Sequence, residues 1–483
     1  MLDILLDQSD SPAARKLPLS RRQWLSIGGL AGLAGLGNLF PGQSRGEETE
    51  VHDIPGFGKA KSVIVVFASG GQSQIDTWDP KPLAPKEVRG QFSPISTSVP
   101  GTMICEHMPR IAKIADKFTI VRNMSHADLD HGSACYLSLT GQYHKRRSSN
   151  PEPSPTDRPS YAAIYKHLQP NAGFAEPAIH INGPLLVPIK VSPAMDGGLL
   201  GRDARPMVLG NVLEAPVVLP GLTQRDDLPQ VRLNARRSLL EQLDRETGRM
   251  ESDASMLDLE TLYGRAFEML KRPETRNAFK LEEESDELRR RYGMNRSGQA
   301  CLLARRLVEA GVPMTTVFFN QSVRGQDTAP DETDAYGWDT HNDIFMSLED
   351  HLLPRFDLAF SALLEDLDDR GLLDETLVLC MGEFGRAPLV ALEKNFVGSS
   401  PGRKHWSFVY SIVAAGAGVG RGQVLGKSNR IGAYPLDDKH APWDVTATMF
   451  SALGINPAGH FKDATGRPFP ISQGQVMTGL YES

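Results

Sequence analysis

The run SVIVVFA, Ser62 to Ala68, has no polar face, because every side chain after the first is apolar. A strand of this kind must be covered on both sides. The run leads straight into Ser69-Gly70-Gly71, which reads as a turn. Later segments repeat the pattern. FTIVRNM, VPMTTVFFN, ETLVLCM and FVYSIVAAGAG read as further strands. Between them lie helical segments: HMPRIAKIADKF, GQACLLARRLVEAG, a long stretch from Asp343 to Arg370 closed by Gly371, and PWDVTATMFSALG with proline in its first turn. This alternation predicts an α/β fold, a mostly parallel central sheet with helices on both faces. Leu228 to Tyr292 is charged and helical and reads as an insertion or cap outside the sheet. Tyr143 to Pro159, rich in Lys, Arg, Ser and Pro, reads as an exposed loop.

A chain of 483 residues with 40% hydrophobic residues can build a large core. Its net charge of -7 gives no basic field of the kind that nucleic acid requires. Cys105, Cys135, Cys301 and Cys380 are scattered, so a zinc ribbon or a redox pair is not expected; one disulfide is compatible with export. At the N-terminus, Arg21-Arg22 precedes a Gly/Ala/Leu run from Leu25 to Phe40. That run is too short and glycine-rich for a permanent span and suits a twin-arginine export signal. Residues 1–45 therefore read as signal and linker, with the twin-arginine translocase as a transient partner. The expected location is the periplasm or the extracellular space, with membrane anchoring if the signal stays uncleaved. Residues 46–483 read as one catalytic-type domain carrying the 228–292 insertion.

In open α/β sheets, ligands bind beyond the carboxyl ends of the strands. The polar residues just past the expected strands are Asp76, His126, the pair Asp339 and His341 in GWDTHND, and Glu383 with Arg386 in MGEFGRAP. His405 in GRKHW precedes a strand, and His131 opens the small-residue run HGSACYLSLTG. Asp339 and His341, separated by one residue, can turn onto one divalent ion. Arg386 can clamp an anionic oxygen. Asp128, Asp130 or His131 can equally be loop and capping residues. No G-x-S-x-G elbow, P-loop or H-E-x-x-H occurs. Cys301 to Arg305 has the Cys-to-Arg spacing of a sulfatase modification motif, but its helical pattern reads as core packing.

The ordered set VFASGGQSQIDTWDPKP, FTIVRNMSHADLDHGS, LTG, GWDTH, MGEFGRAP, GRKHW and AAGAGVGRGQVLG closely resembles domain of unknown function family 1501, exported bacterial proteins of the alkaline phosphatase/sulfatase clan. The resemblance runs from about Lys61 to the C-terminus. It implies an alkaline phosphatase-like core, one or two divalent metals, and chemistry on phosphate or sulfate esters. By that resemblance Asp339, His341, Glu383 and His405 stand at metal-ligand positions, with His131 and His126 completing the site; Asp76 is a ligand candidate by its position soon after the first strand. The nucleophile position falls on His131, where the clan has Ser, Thr or a modified Cys. Ser133 is then the substitute, or His131 is a ligand and a metal-activated water attacks. Ser69, Gln74 and Lys404 depart from the clan pattern, which bears on a second metal. Mixed imidazole and carboxylate ligation suits Zn²⁺ or Mn²⁺ better than Mg²⁺ or Ca²⁺. The expected substrate is an anionic ester, polysaccharide-borne ones included. The alternative is a non-catalytic exported binding protein on the same scaffold.

Overall fold

The computed structural model describes residues 53–169, 176–213, 277–325 and 336–482. The expected export signal, and most of the expected insertion at 228–292, lie outside the described residues.

The central sheet has eight strands: β1 (Ser62–Phe67), β2 (Phe118–Met124), β3 (Ala178–Ile181), β4 (Met207–Leu209), β5 (Met314–Phe318), β6 (Thr376–Met381), β7 (Tyr410–Ala415) and β8 (Gln423–Leu425). In space the order is β8-β2-β7-β6-β1-β5-β3-β4. All pairings are parallel except the two made by β7, which runs against both β2 and β6. This is the mostly parallel sheet the apolar runs predict. β1 sits at its centre, and all six of its residues are buried.

Period-two geometry sends alternate side chains of each strand to opposite faces. Ile64 and Val66 of β1 join a core with Leu302, Leu303, Phe356 and Phe360. These come from helices α3 (Arg296–Glu309) and α4 (Leu353–Asp369). Val63, Val65 and Phe67 face the other core, with Leu139, Tyr161 and Phe450. Their helices are α1 (His131–Thr140), α2 (Tyr161–Leu168) and α5 (Pro442–Ala452). Every residue of α1 is buried, and it stops at Gly141, whose φ of 65° is the left-handed conformation that ends a helix cheaply.

Two helix expectations need correction. HMPRIAKIADKF forms only a short helix at Pro109–Lys113 and a 3-10 turn at Ala115–Lys117. The Asp357 carboxylate accepts the Arg110 and Ile111 N–H groups at its start, and the chain leaves helical geometry at Ile114 before β2 begins at Phe118. The helix expected over 343–370 is instead interrupted by a π-helical turn at Ser347–Leu352. Pro354 follows that turn; it lacks an N–H, and its ring crowds the carbonyl four residues back. The four cysteines are buried and unpaired, so the disulfide does not form. Cys301 is core packing within α3, as read. The described end of the insertion, helix Asp286–Tyr292, is docked through Tyr292 on Asp366 and Arg291 on Glu365 of α4. Among the described residues no helix is long and apolar enough to cross a membrane.

Ile64→Ala is expected to cost about 2–5 kcal/mol by leaving a cavity in the central strand. Leu83→Ala, at a residue 91% exposed, should change stability by less than about 0.5 kcal/mol. Denaturant unfolding of both variants checks the contrast.

Candidate metal centre

The parallel strands deliver their carboxyl ends to one rim. The turn after β1 carries Gly70, the segment after β2 leads to His131, the chain after β5 returns to Asp339 and His341, and Glu383 follows β6. His405 reaches the same rim from the opposite direction. It lies before β7, and because β7 is antiparallel, the start of that strand is at the carboxyl end of its neighbours. A two-residue ribbon then clips His405 opposite Arg386 and Trp406 opposite Gly385.

The centre is organised around one oxygen. Asp339 Oδ1 lies 3.1 Å from His131 Nε2, 3.2 Å from His341 Nε2 and 3.3 Å from His405 Nε2. Arg386 donates to the same oxygen at 2.8 Å. His341 Nε2 and His405 Nε2 face each other at 2.9 Å. The ring orientations are set from behind. His131 Nδ1 lies 2.6 Å from Glu383 Oε1, so its N–H donates to that carboxylate. His405 Nδ1 donates to the Leu129 carbonyl at 2.7 Å. Both contacts leave Nε2 lone pairs turned toward Asp339, the arrangement by which histidine ligands are oriented in metal sites. His341 stacks flat on Phe396, centroids 3.8 Å apart, and its Nδ1 lies 3.4 Å from Glu393. Phe384 packs against His131 and His405.

These atoms conflict with one another unless something positive lies among them. His131 Nε2 is buried and, among the described residues, has no aligned hydrogen-bond partner. Lone pairs of imidazoles and a carboxylate oxygen repel when they converge; protons or a cation resolve that repulsion. His131, Asp339 and His405 offer ligand atoms within 4.8 Å of one another, and His341 adjoins both of the last two. The donor set therefore fits a divalent cation. The Asp339 and His405 side chains are 18% and 19% exposed, against 7% for His131 and 6% for His341, so the centre opens to solvent on the Asp339–His405 side.

Charge follows this geometry. Burial disfavours protonation of His131, but the Asp339 and Glu383 carboxylates outweigh it and push its pKa up to about 9. His405 moves the other way: burial, and then the charge on His131, bring it down to about 3. Burial alone would raise Asp339, yet His131 and Arg386 hold its carboxyl well below the usual carboxylate range.

Five of the expected site residues have other partners. Glu383 is fully buried; its oxygens accept the Gly70 N–H at 2.9 and 3.1 Å and face His131 Nδ1, so it supports His131 from behind. His126 donates through Nε2 to the Glu383 carbonyl at 2.7 Å, while its Nδ1 accepts the Asp128 N–H. Burial lowers its pKa to about 4. Asp76 is fully engaged by Arg403, at 2.7 and 3.0 Å, and by Ser73. Arg386 is no open anion clamp. It is fully buried, and its donors reach the carbonyls of Gly70, Gly71, Trp338 and Arg403 besides Asp339. The Ser133 hydroxyl donates to Asp128 at 2.7 Å and accepts the Ser149 N–H, so it is held by the loops that flank α1.

The clan departures are equally well occupied. Ser69 donates to the Asn320 carbonyl, Gln74 brackets the Arg386 backbone, and Lys404 pairs with Glu393. Sequence reading missed the Leu129 carbonyl, Glu393 and the Phe384 and Phe396 walls. Only the Gly70-Gly71 turn carried a signal. Gly70 has φ 117°, and a Cβ there would lie 2.4 Å from the Asp339 N.

The family model described as protein of unknown function (DUF1501) matches residues 60–481. No curated protein matches the sequence. Solved structures with a similar arrangement include Ps i-CgsB (12% identity, 89% of this chain and 76% of that one, TM-score 0.41). Another is the PsFucS1 sulfatase from Pseudoalteromonas sp. (15%, 84% and 69%, TM-score 0.38). A third is the phosphonate monoester hydrolase SpPMH from Silicibacter pomeroyi (12%, 87% and 76%, TM-score 0.38). Likeness at these scores carries no weight for substrate or mechanism.

Asp76→Ala would leave the Arg403 guanidinium buried and unpaired, at a cost of about 3–5 kcal/mol. A large drop in the denaturation midpoint checks this; an unchanged midpoint counts against it.

Proposed function

We propose that this chain, which belongs to the DUF1501 family, is an exported metal-dependent hydrolase of phosphate or sulfate esters. The observation that carries the proposal is the convergence of three imidazole Nε2 atoms on Asp339 Oδ1. His131, His341, His405 and Asp339 would hold the cation, and Zn²⁺ or Mn²⁺ suits their mixed donors better than Ca²⁺. When bound, such a cation polarises an ester oxygen and lowers the pKa of water. The ester class rests on the resemblance of the ordered motifs to the alkaline phosphatase/sulfatase clan. Export rests on Arg21-Arg22 and the apolar run after them.

Each side chain has a part in this reading. Glu383 holds the Nδ1 proton of His131 and fixes its tautomer. The Leu129 carbonyl does the same for His405. Arg386 keeps the Asp339 carboxylate charged and in place. Phe384 and Phe396 limit water to the exposed side of the cluster. A second reading, a metal-dependent binding protein without turnover, is favoured by one observation: among the described residues no serine, threonine or cysteine stands among the converging atoms. Elemental analysis followed by a screen of phosphate and sulfate monoesters separates the two. Turnover that disappears in His341→Ala supports the hydrolase. Bound metal without turnover of any ester supports the second reading, and metal-free native protein defeats both.

Two further outcomes are specific. Glu383→Gln weakens the hold on His131 Nδ1 and should lower metal affinity by about 10- to 100-fold in a folded protein. Near pH 7 metal-free His131 carries its second proton, because its pKa is about 9. Cation uptake must displace it, so binding at pH 7 should release about one proton, and affinity should rise with pH up to about 9 and then level. Calorimetry in buffers of different ionisation enthalpy checks the release.

A further inference from the structure

We propose that Lys145, Arg146 and Arg147 form a docking strip for a polyanionic substrate, a polymer bearing repeated sulfate or phosphate esters, beside the centre. This deepens the ester-hydrolase reading and rests on it. The three residues are consecutive and exposed, and none forms an ion pair among the described residues, in a protein whose net charge is -7. Glu152, the carboxylate that feels Arg146, is itself paired with Lys190 at 2.6 Å.

The strip is held in place on both sides. Upstream, Arg147 lies over the Tyr143 ring at 3.8 Å, and the Tyr143 hydroxyl accepts the Ala127 N–H just past β2. Downstream, the Ser148 N–H reaches Asp128, Ser149 exchanges bonds with Ser133, and Asn150 Oδ1 accepts the Gly132 N–H. The contact is close: a Cβ at Gly132 would lie 2.6 Å from the Asn150 Cα. Gly132 adjoins His131, and Leu129, whose N–H reaches Ser148, also receives the His405 proton. The loop carrying the cations is thus bonded to the segment that carries the centre. A single ester group uses the centre alone. A chain of them can place one group there and its neighbours along the strip, where each cation adds screened attraction.

The test compares full-length wild type with the K145Q/R146Q/R147Q variant, using dextran sulfate and phosphorylated dextran as probes. Wild type should bind one of them at least about tenfold more tightly than the variant. Its log affinity should also fall with log salt more steeply, by about two to three in slope, as for release of three counterions. Which polymer binds separates sulfate from phosphate. The kcat and KM for para-nitrophenyl sulfate or phosphate should be the same in both proteins. Bound polymer should slow zinc extraction by a chelator in wild type only. Equal polymer affinity in the two proteins overturns the proposal, as does zinc extraction unaffected by saturating polymer. Tighter binding of single-stranded DNA than of either polymer also overturns it. If no monoester is turned over but polymer affinity still depends on the three cations, the hydrolase reading fails alone.

Discussion

The centre depends on one carboxylate held at a crowded rim. Removing Asp339 from water carries a desolvation cost that only close, well-oriented partners offset. Arg386 supplies the permanent one, at 2.8 Å. Its planar fork also binds carbonyls from the turn after β1 and from Trp338, so a single guanidinium ties three separate chain segments to the same point. A lysine would offer charge without that geometry. With Asp339 fixed, the three imidazoles are placed by what lies behind them: a carboxylate for His131, a carbonyl for His405, a phenyl face for His341.

Strand direction does the rest. A sheet that was parallel throughout would put the residue before a strand at the opposite edge from the residue after one. The reversal of β7 places His405 among residues that all follow their strands. The buried Asp76–Arg403 pair then secures the return loop, since Arg403 also binds backbone at Ala387 and Val88 and its own carbonyl accepts from Arg386. Buried pairs of this kind contribute little net stability but make alternative arrangements costly, because separating the partners strands a charge.

Much of this was legible in the chain. SVIVVF, ETLVLCM and the other apolar runs could only be strands covered on both sides, and the polar residues past them marked the rim. His131, Asp339, His341 and His405 were all candidates on residue type and position, and the fold gathers them. Glu383, His126, Asp76, Arg386 and Ser133 were equally good candidates by the same criteria, and the fold gives each another partner. Sequence position says which end of a strand a side chain occupies. It does not say which way the side chain turns or whether a neighbour has already taken its hydrogen bonds. The π-turn ahead of Pro354 shows the same limit locally: the chain stays helical from Ile344 to Asp369, but its hydrogen-bond spacing changes over Ser347–Leu352, which the apolar pattern does not show.

By itself, the sequence determined the layered α/β architecture, because fully apolar strands alternate along the chain with amphipathic helices. It also determined the inventory of titratable groups at the strand ends. Tertiary structure alone decided which four of them face one another and which serve as their supports. The reason is that convergence depends on the direction of β7 and on hydrogen bonds between residues more than 300 positions apart, such as Arg386 to Gly70, 316 positions apart. Neither leaves a local pattern in the chain.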